Sequence, residues 1–264
     1  MVRYLGAQEV SAEYSYWRLD EVEVRSFLVA TNHGMGDWLD AKWKEAEDRA
    51  EEIFDPDRHD GGLVAELFED AVGVWPSDYF WQLSSAVVKD ACALYEVFLE
   101  RMANAVLHRH GGRLSKLDSE DSWKWPECRL FYQNYIGIDV TPPAIDSVLW
   151  VRNKVTHLRD ELRTPAGVAE FYDRLTTLNI HHLRTPEEVA LGLVSHQPYV
   201  ARGVALSQLE TLRILDLLAD QVASVAKVAF NFDYGGATNP FLDAIRAKSP
   251  LPLKGFPTAK LIAV

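Results

Sequence analysis

Apolar residues recur at three- and four-residue steps in nearly every segment of this chain longer than ten residues. Such spacing collects apolar side chains on one face of a helix, whereas a half-buried strand requires them at every second position. Apolar residues make up 48% of the 264 positions, so the chain can bury a substantial core. We therefore predict an all-α fold in which amphipathic helices pack as a bundle.

The predicted helices follow from these apolar stripes and from residues that begin or end helices. Val2–Asn32 has no clear stripe and could hold a short strand pair or an irregular arm. Ser77 is suited to cap the long helix that follows it, and Gly111 and Gly112 are suited to end that helix. Threonine–proline pairs precede three later helices, since proline tolerates the first helical turn. We predict helices at Gly36–Phe54, Gly62–Val72, Ser77–His110, Pro142–Leu162, Ala166–Leu178, Glu187–Leu193 and Pro198–Phe230.

Two of these helices, the third and the last, are long enough to form the centre of a bundle. The predicted buried face of the third helix carries Leu83, Val87, Ala91, Leu94, Val97, Phe98, Met102, Ala105 and Val106. The predicted buried face of the last helix carries Leu206, Leu209, Leu212, Ile214, Leu215, Leu218, Val222, Val225 and Val228.

The helices and the proline content divide the chain into three predicted regions. Residues 1–76 form an N-terminal extension with about two helices, and residues 77–230 form the bundle. A polar loop, Arg113–Ser122, lies inside the bundle region. Residues 231–264 contain adjacent glycines and four prolines, which disfavour regular structure. We expect them to form an irregular tail packed on the bundle.

The charge of the chain argues against one mode of nucleic-acid binding. With 27 basic and 39 acidic residues the formal net charge is −12. Sequence-independent binding depends on Lys and Arg displacing counterions from phosphates, so RNA could be bound only at a local site. Acidic residues concentrate in Asp37–Asp60, where they alternate with Trp38, Trp43, Ala46 and Ile53. We interpret this segment as a solvated helix face, and the alternative is a surface for a basic partner.

No stretch has the eighteen or more apolar residues of a membrane span, and the first thirty residues lack the basic-then-apolar layout of a secretory signal. We therefore expect a cytoplasmic protein without a membrane partner.

Cysteine and histidine patterns do not predict a metal or cofactor site. Cys92 and Cys128 lie far apart in sequence, which favours buried free thiols. His108 and His110 fit the electrostatics of a helix C-terminus. His181 and His182 are adjacent, and no carboxylate or cysteine follows at a chelating spacing. No glycine-rich phosphate loop or nucleophile triad is present, so we expect neither metal nor cofactor.

The most specific chemical pattern is Arg152-Asn153-Lys154-Val155-Thr156-His157, within the predicted helix Pro142–Leu162. At 100° per residue, Asn153 and His157 lie on one line along the helix, and His157 is about 140° around the axis from Arg152. The predicted core stripe is Val148, Val151, Val155, Leu158 and Leu162. The second line is Trp150, Asn153, His157 and Glu161, and its tryptophan suggests that this line is also covered.

An Arg-Asn-x-x-x-His pattern late in an all-α chain resembles the HEPN superfamily, whose members share a helical bundle and a motif of an arginine and a histidine. Four to six residues separate the arginine from the histidine in that motif, as four separate Arg152 from His157 here, and asparagine often follows the arginine, as Asn153 does. Leu94–Leu99 is similar to the aromatic-Glu-aromatic-aliphatic pattern that many members carry on the neighbouring helix. The resemblance covers about Ser77–Leu178.

The resemblance implies a metal-independent endoribonuclease of a bacterial toxin–antitoxin, phage-defence or stress-response system. Arg152, Asn153 and His157 would be the catalytic residues. Many members pair two motifs across a homodimer, which would cover Trp150, and Glu96 would hold Arg152 or His157 in place. The implied partners are RNA, a second copy of the chain, and an antitoxin or regulatory protein.

Two other interpretations stay open. One is a non-catalytic HEPN-like module that binds nucleotide, RNA or a partner protein. The other is an unrelated helical scaffold in which Asn153 and His157 are structural residues.

Overall fold

The structure is a computed structural model, and it is mostly helical. It describes residue 5 and residues 11–58, 61–73, 76–109, 114–116, 125–157, 162, 164–181, 183–190, 206–231 and 261–263.

Eight α-helices and one π-helical turn make up most of the described residues. The helices are α1 (Ala12–Ile53), α2 (Leu63–Val72), α3 (Pro76–Arg109), α4 (Trp125–Phe131), α5 (Pro143–His157), α6 (Pro165–Thr177), α7 (Pro186–Ala190) and α8 (Gln208–Phe230). The π turn, Tyr132–Ile136, follows α4 directly. Strands β1 (Leu114–Lys116) and β2 (Leu261–Ala263) pair antiparallel, with Leu114 opposite Ala263.

The first helix begins earlier than the sequence indicates. Residues 12–32, predicted as a strand pair or an irregular arm, belong to α1. Tyr14, Trp17 and Leu28 are buried at helical spacing, but the buried position between them is occupied by Glu21. This charged residue interrupts the apolar stripe, which is why the periodicity is not clear in the sequence.

Most other described helix boundaries lie within one or two residues of those predicted. Helix α4 was not predicted, and the predicted helix Pro142–Leu162 is described only to His157, since residues 158–161 lie outside the described residues. Two helix starts also need correction. Helix α3 begins at Pro76, so Ser77 lies within its first turn and is not the cap. Leu206 and Ser207 are not helical, because α8 begins at Gln208. The residues between Pro198 and Leu206 and the helix stop at Gly111–Gly112 lie outside the described residues.

The strand pair corrects two further expectations. Leu114–Lys116 lies in the predicted polar loop, and Leu261–Ala263 lies in the predicted irregular tail. Backbone hydrogen bonds between the two segments overcome local composition, which is a weak guide for such short strands. The rest of the tail beyond Asn231 lies outside the described residues.

The chain divides into two compact units, and each combines segments from before and after residue 77. Unit 1 comprises Met1–Val22, Asp90–Leu149 and Leu215–Val264, and unit 2 comprises Glu23–Lys89 and Trp150–Ile214. The region boundaries predicted at residues 77 and 231 stay predictions.

Aromatic residues form the centre of unit 1. Tyr95, Phe98 and Tyr132 are almost completely buried, and the Phe98 ring packs against Trp17 with centroids 6.2 Å apart. The Tyr132 hydroxyl donates to the carbonyl oxygen of Leu99 at 2.7 Å. Burial raises the pKa of the Tyr95 and Tyr132 hydroxyls above the ordinary value of 10.0. These hydroxyls therefore stay neutral where they serve as hydrogen-bond donors.

One predicted core position of α3 is wrong. Val97 is 40% exposed, whereas Tyr95, Phe98 and Leu99 are buried. Val97 lies two residues from Tyr95, about 200° around the axis, so both cannot face the same core. In α8, Val228 is likewise exposed, and the predicted residues from Ile214 to Val225 are buried.

In unit 2, part of the core joins α1, α2 and α3. Leu39 and Ala46 pack with Phe68 and Phe80, and all four are buried.

Both cysteines of the chain are buried free thiols, as predicted. No helix in the described parts of the chain is long and apolar enough to cross a membrane.

Candidate functional site

The helix that carries the Arg-Asn-x-x-x-His motif is fixed at its beginning by contacts within unit 1. The hydroxyl of Tyr95 donates to the carbonyl oxygen of Val140. The side-chain amide of Gln221 donates to the backbone carbonyl oxygen of Asp139 at 2.9 Å. The Asp139 carboxylate accepts the backbone N–H of Thr141 at 2.8 Å. Two other helices thus hold the turn from which α5 begins.

The predicted core stripe of α5 is confirmed where it is described. Val148, Val151 and Val155 are completely buried, and Leu162 is 1% exposed. Leu158 lies outside the described residues. Burial of this stripe fixes the rotation of α5 about its axis, and therefore the direction of every other residue on it.

The motif residues differ in exposure. Asn153 and His157, one turn apart, are exposed, and Arg152 is half-buried. The carbonyl oxygen of Arg152 accepts a hydrogen bond from the Thr156 hydroxyl at 2.7 Å. Asn153 and His157 can therefore meet a ligand from solvent.

Trp150 is half-buried. Its ring packs against Phe171 of α6 with centroids 6.4 Å apart. The ammonium of Lys154 and the guanidinium of Arg174 each lie over the ring, both 5.2 Å from its centroid. Two cations therefore lie close together at this ring, in a chain whose net charge is negative.

Two acidic residues were predicted to support the motif. Glu96 is half-buried on α3, as Arg152 is on α5. Glu161 lies outside the described residues. Their supporting roles stay predictions.

Helix α6 also carries a half-buried tyrosine next to the ring that contacts Trp150. The Tyr172 ring lies 5.8 Å from that of Phe171 and 5.1 Å from the imidazole of His181. Burial raises the pKa of the Tyr172 hydroxyl, the Glu210 carboxylate raises it further, and Arg184 opposes the rise. A hydroxyl in this environment stays protonated.

Two interlocked helix caps form a polar cluster in unit 2. Thr185 and Glu188 exchange hydrogen bonds across the start of α7, at 2.8 and 3.1 Å. Ser207 and Glu210 do the same across the start of α8, both at 3.0 Å. Each pair is a capping box, which satisfies backbone donors that a helix start leaves without partners.

The two capping boxes are also bonded to each other. The Glu188 carboxylate accepts the backbone N–H of Gln208 at 2.6 Å, and the Ser207 hydroxyl donates to the carbonyl oxygen of Leu183. The guanidinium of Arg184 lies 3.4 Å from the buried Glu210 carboxylate. Arg184 pairs with Glu210, and both Glu188 oxygens accept backbone N–H groups, so we interpret the cluster as structural.

Sequence reasoning missed the second capping box, although its signal is present. Ser207-Gln208-Leu209-Glu210 has the Ser-x-x-Glu spacing of a capping box. The apolar stripe extends beyond it towards Pro198, and this stripe led to a helix predicted to begin too early.

No three His, Cys, Asp or Glu side chains come together as metal ligands among the residues that the structure describes.

Comparison with known proteins found no matching family model, no matching curated protein and no matching solved structure.

Proposed function

We propose that the chain is a metal-independent endoribonuclease of the HEPN type, in which Arg152, Asn153 and His157 carry the reaction. The observation that supports this most is the exposure of Asn153 and His157 one turn apart, on a helix whose apolar stripe is buried. Polar side chains in a fixed direction on a rigid element suit catalysis better than side chains on a loose loop.

The chemistry requires only groups that the motif supplies, since RNA carries its own nucleophile. The 2′-oxygen forms a bond to phosphorus, the bond to the 5′-oxygen breaks, and a 2′,3′-cyclic phosphate and a 5′-hydroxyl result. An imidazole can accept the proton of the 2′-hydroxyl or donate one to the leaving oxygen. The Arg152 guanidinium would stabilise the charge on phosphorus, and Asn153 would orient the phosphate or the base.

Local positive charge supports RNA binding despite the net charge of −12. Lys154 and Arg174 both lie over the Trp150 ring, and Arg152 is on the same helix. Cations of this kind bind phosphates, and aromatic rings stack on bases. The predicted contact with RNA is therefore confined to this part of α5 and α6.

A homodimer forms part of the proposal. His157 is exposed, so its imidazole can be reached by a second copy of the chain. Catalytic histidines are commonly oriented by a second group, and the motif of a second copy could supply one. The partners implied by the resemblance, an antitoxin or a regulatory protein, belong to the same proposal.

The test is incubation of the purified protein with mixed RNA in the presence of EDTA. We expect cleavage that leaves 2′,3′-cyclic phosphate ends, and His157→Ala and Arg152→Ala each to lower the rate by about 10²-fold or more. The matched controls are His33→Ala and Arg101→Ala, at an exposed histidine and an exposed arginine outside the motif. Both controls should cleave like the original protein.

A second candidate function is a non-catalytic HEPN-like binding module, because exposed polar side chains and the two cations over Trp150 suffice to bind a ligand. Failure to cleave, with RNA or nucleotide binding weakened by Arg152→Ala, would support this alternative. If a correctly folded protein of dimeric mass neither cleaved nor bound RNA or nucleotide, both candidate functions would be contradicted. Sedimentation of each variant gives that mass.

A further inference from the structure

A groove of about 780 Å³ lies between the C-terminal half of α1 and the beginning of α2, within unit 2. We call it the acidic groove. The charged side chains that line it are Asp40, Lys44, Glu47, Asp48 and Glu51. Four carboxylates against one ammonium give the groove a negative potential.

The acidic groove also exposes aromatic surface. Trp43 and Phe54 line it and are 40% and 51% exposed. A solvated helix face, which the sequence indicates here, would carry polar residues at such positions. Exposed aromatic residues grouped in one groove and bordered by charge are typical of a protein interaction site.

Trp43 is held in place before any partner arrives. Its indole N–H donates to the Glu47 carboxylate at 2.8 Å, and its ring packs edge-on against Phe68 with centroids 5.1 Å apart. A side chain that is already ordered loses little conformational entropy on binding, which is why tryptophan is frequent at the centres of interfaces.

The sign of the charge selects the partner. RNA carries negative phosphates, and a second copy of this chain carries a net charge of −12, so both are repelled by the four carboxylates. Lysine and arginine side chains are attracted, and complementary charge of this kind speeds association and excludes wrong partners.

We propose that the acidic groove binds a basic amphipathic segment of a partner protein. Lysine or arginine residues of that segment meet Asp40, Asp48 and Glu51, and an apolar side chain packs on Trp43 and Phe54. This inference does not depend on ribonuclease activity, because no residue of the α5 motif lines the groove.

Paired charge reversals on α1 test the proposal. Asp48→Lys with Glu51→Lys changes two carboxylates that line the acidic groove. Glu45→Lys with Glu52→Lys changes the net charge by the same amount, at exposed positions of the same helix that do not line it. The probe is a fluorescent peptide composed of arginine and leucine, with a glutamate–leucine peptide as its counterpart.

We expect the arginine–leucine peptide to bind the original protein, and the groove pair to weaken its affinity by about tenfold or more. The control pair should weaken it by about twofold, through net charge alone. Equal weakening by both pairs would mean non-specific attraction and would overturn the proposal. Absence of binding, or equal binding of the glutamate–leucine peptide, would overturn it as well.

The aromatic part of the groove has its own matched pair. Phe54 lines the groove, and its neighbour Ile53 is 44% exposed but does not. Phe54→Ala should weaken peptide binding by about tenfold, and Ile53→Ala should leave it nearly unchanged. If the protein instead self-associates and Phe54→Ala alone abolishes this, the occupant is a second copy and the proposal is wrong. Circular dichroism of each variant checks that its helices remain folded.

Discussion

At the scale of single residues, Trp150 illustrates what helical geometry can and cannot predict. Its spacing from Asn153 and His157 places it on their line along α5, and its size suggests that it is covered. The structure covers it in part with Phe171, and brings Lys154 and Arg174 over its ring. Lys154 is one turn away on the same helix, whereas Arg174 and Phe171 come from α6. Only the contact with Lys154 is implied by the sequence.

The contact between Trp150 and Arg174 can be measured by a double-mutant cycle. Trp150→Leu and Arg174→Ala should each lower the free energy of unfolding, and the double variant should lose less than their sum. We expect a coupling of about 0.5–1 kcal/mol from the cation–π contact, determined by urea unfolding. Arg49→Ala, at an exposed arginine of α1, should show no coupling with Trp150→Leu. Equal coupling for both arginines would contradict a direct contact.

At the scale of secondary-structure elements, helix starts were predictable where a cap stands next to a clear stripe. The Thr164 hydroxyl caps α6 by accepting the backbone N–H of Gly167 at 3.1 Å, and Pro165 follows at the first helical position. Ser207 and Glu210 offer an equally good signal, but the apolar residues before them mask it. Burial of this second cap is a tertiary property, because Leu183 and Glu188 complete it.

The Ser207 cap of α8 is buried and the Thr164 cap of α6 is exposed, so we expect their removal to have different effects. Ser207→Ala removes the acceptor for the Glu210 backbone N–H, in buried surroundings, and the donor to Leu183, in partly buried ones. We expect it to lower the free energy of unfolding by about 2 kcal/mol or more. Thr164→Ala, at an exposed cap, should cost about 1 kcal/mol or less. Denaturant unfolding of both variants compares them, and a larger loss for Thr164→Ala would contradict the role of the buried cluster.

At the scale of the whole molecule, tyrosines that are buried or half-buried link stability to pH. Burial raises the pKa of the hydroxyls of Tyr95, Tyr132 and Tyr172 above the ordinary value of 10.0. Above pH 10 these groups ionise in the unfolded chain but stay protonated in the folded one. The folded protein then binds more protons, so the free energy of unfolding falls as pH rises.

Replacement of one such tyrosine should make this pH dependence shallower. Tyr132→Phe removes the completely buried hydroxyl, and the decrease in unfolding free energy above pH 10 should lessen by up to about 1.4 kcal/mol per pH unit. Tyr16→Phe, at a residue 58% exposed, is the matched control and should leave the dependence as it is. Urea unfolding at several alkaline pH values measures both. An unchanged slope in Tyr132→Phe would show that its hydroxyl ionises equally in both states.

Helical periodicity determined the mostly helical character of this protein and the buried stripe of α5, because both depend on residues three or four apart. It also determined that Trp150 lies on the same side of the helix as Asn153 and His157. The Arg174 guanidinium over Trp150, the interlocked caps, and the aromatic residues exposed in the acidic groove were decided only by the tertiary structure. These features join residues from different helices or depend on what a helix face packs against. Local spacing cannot specify such contacts, because it fixes the direction of a side chain but not its neighbour.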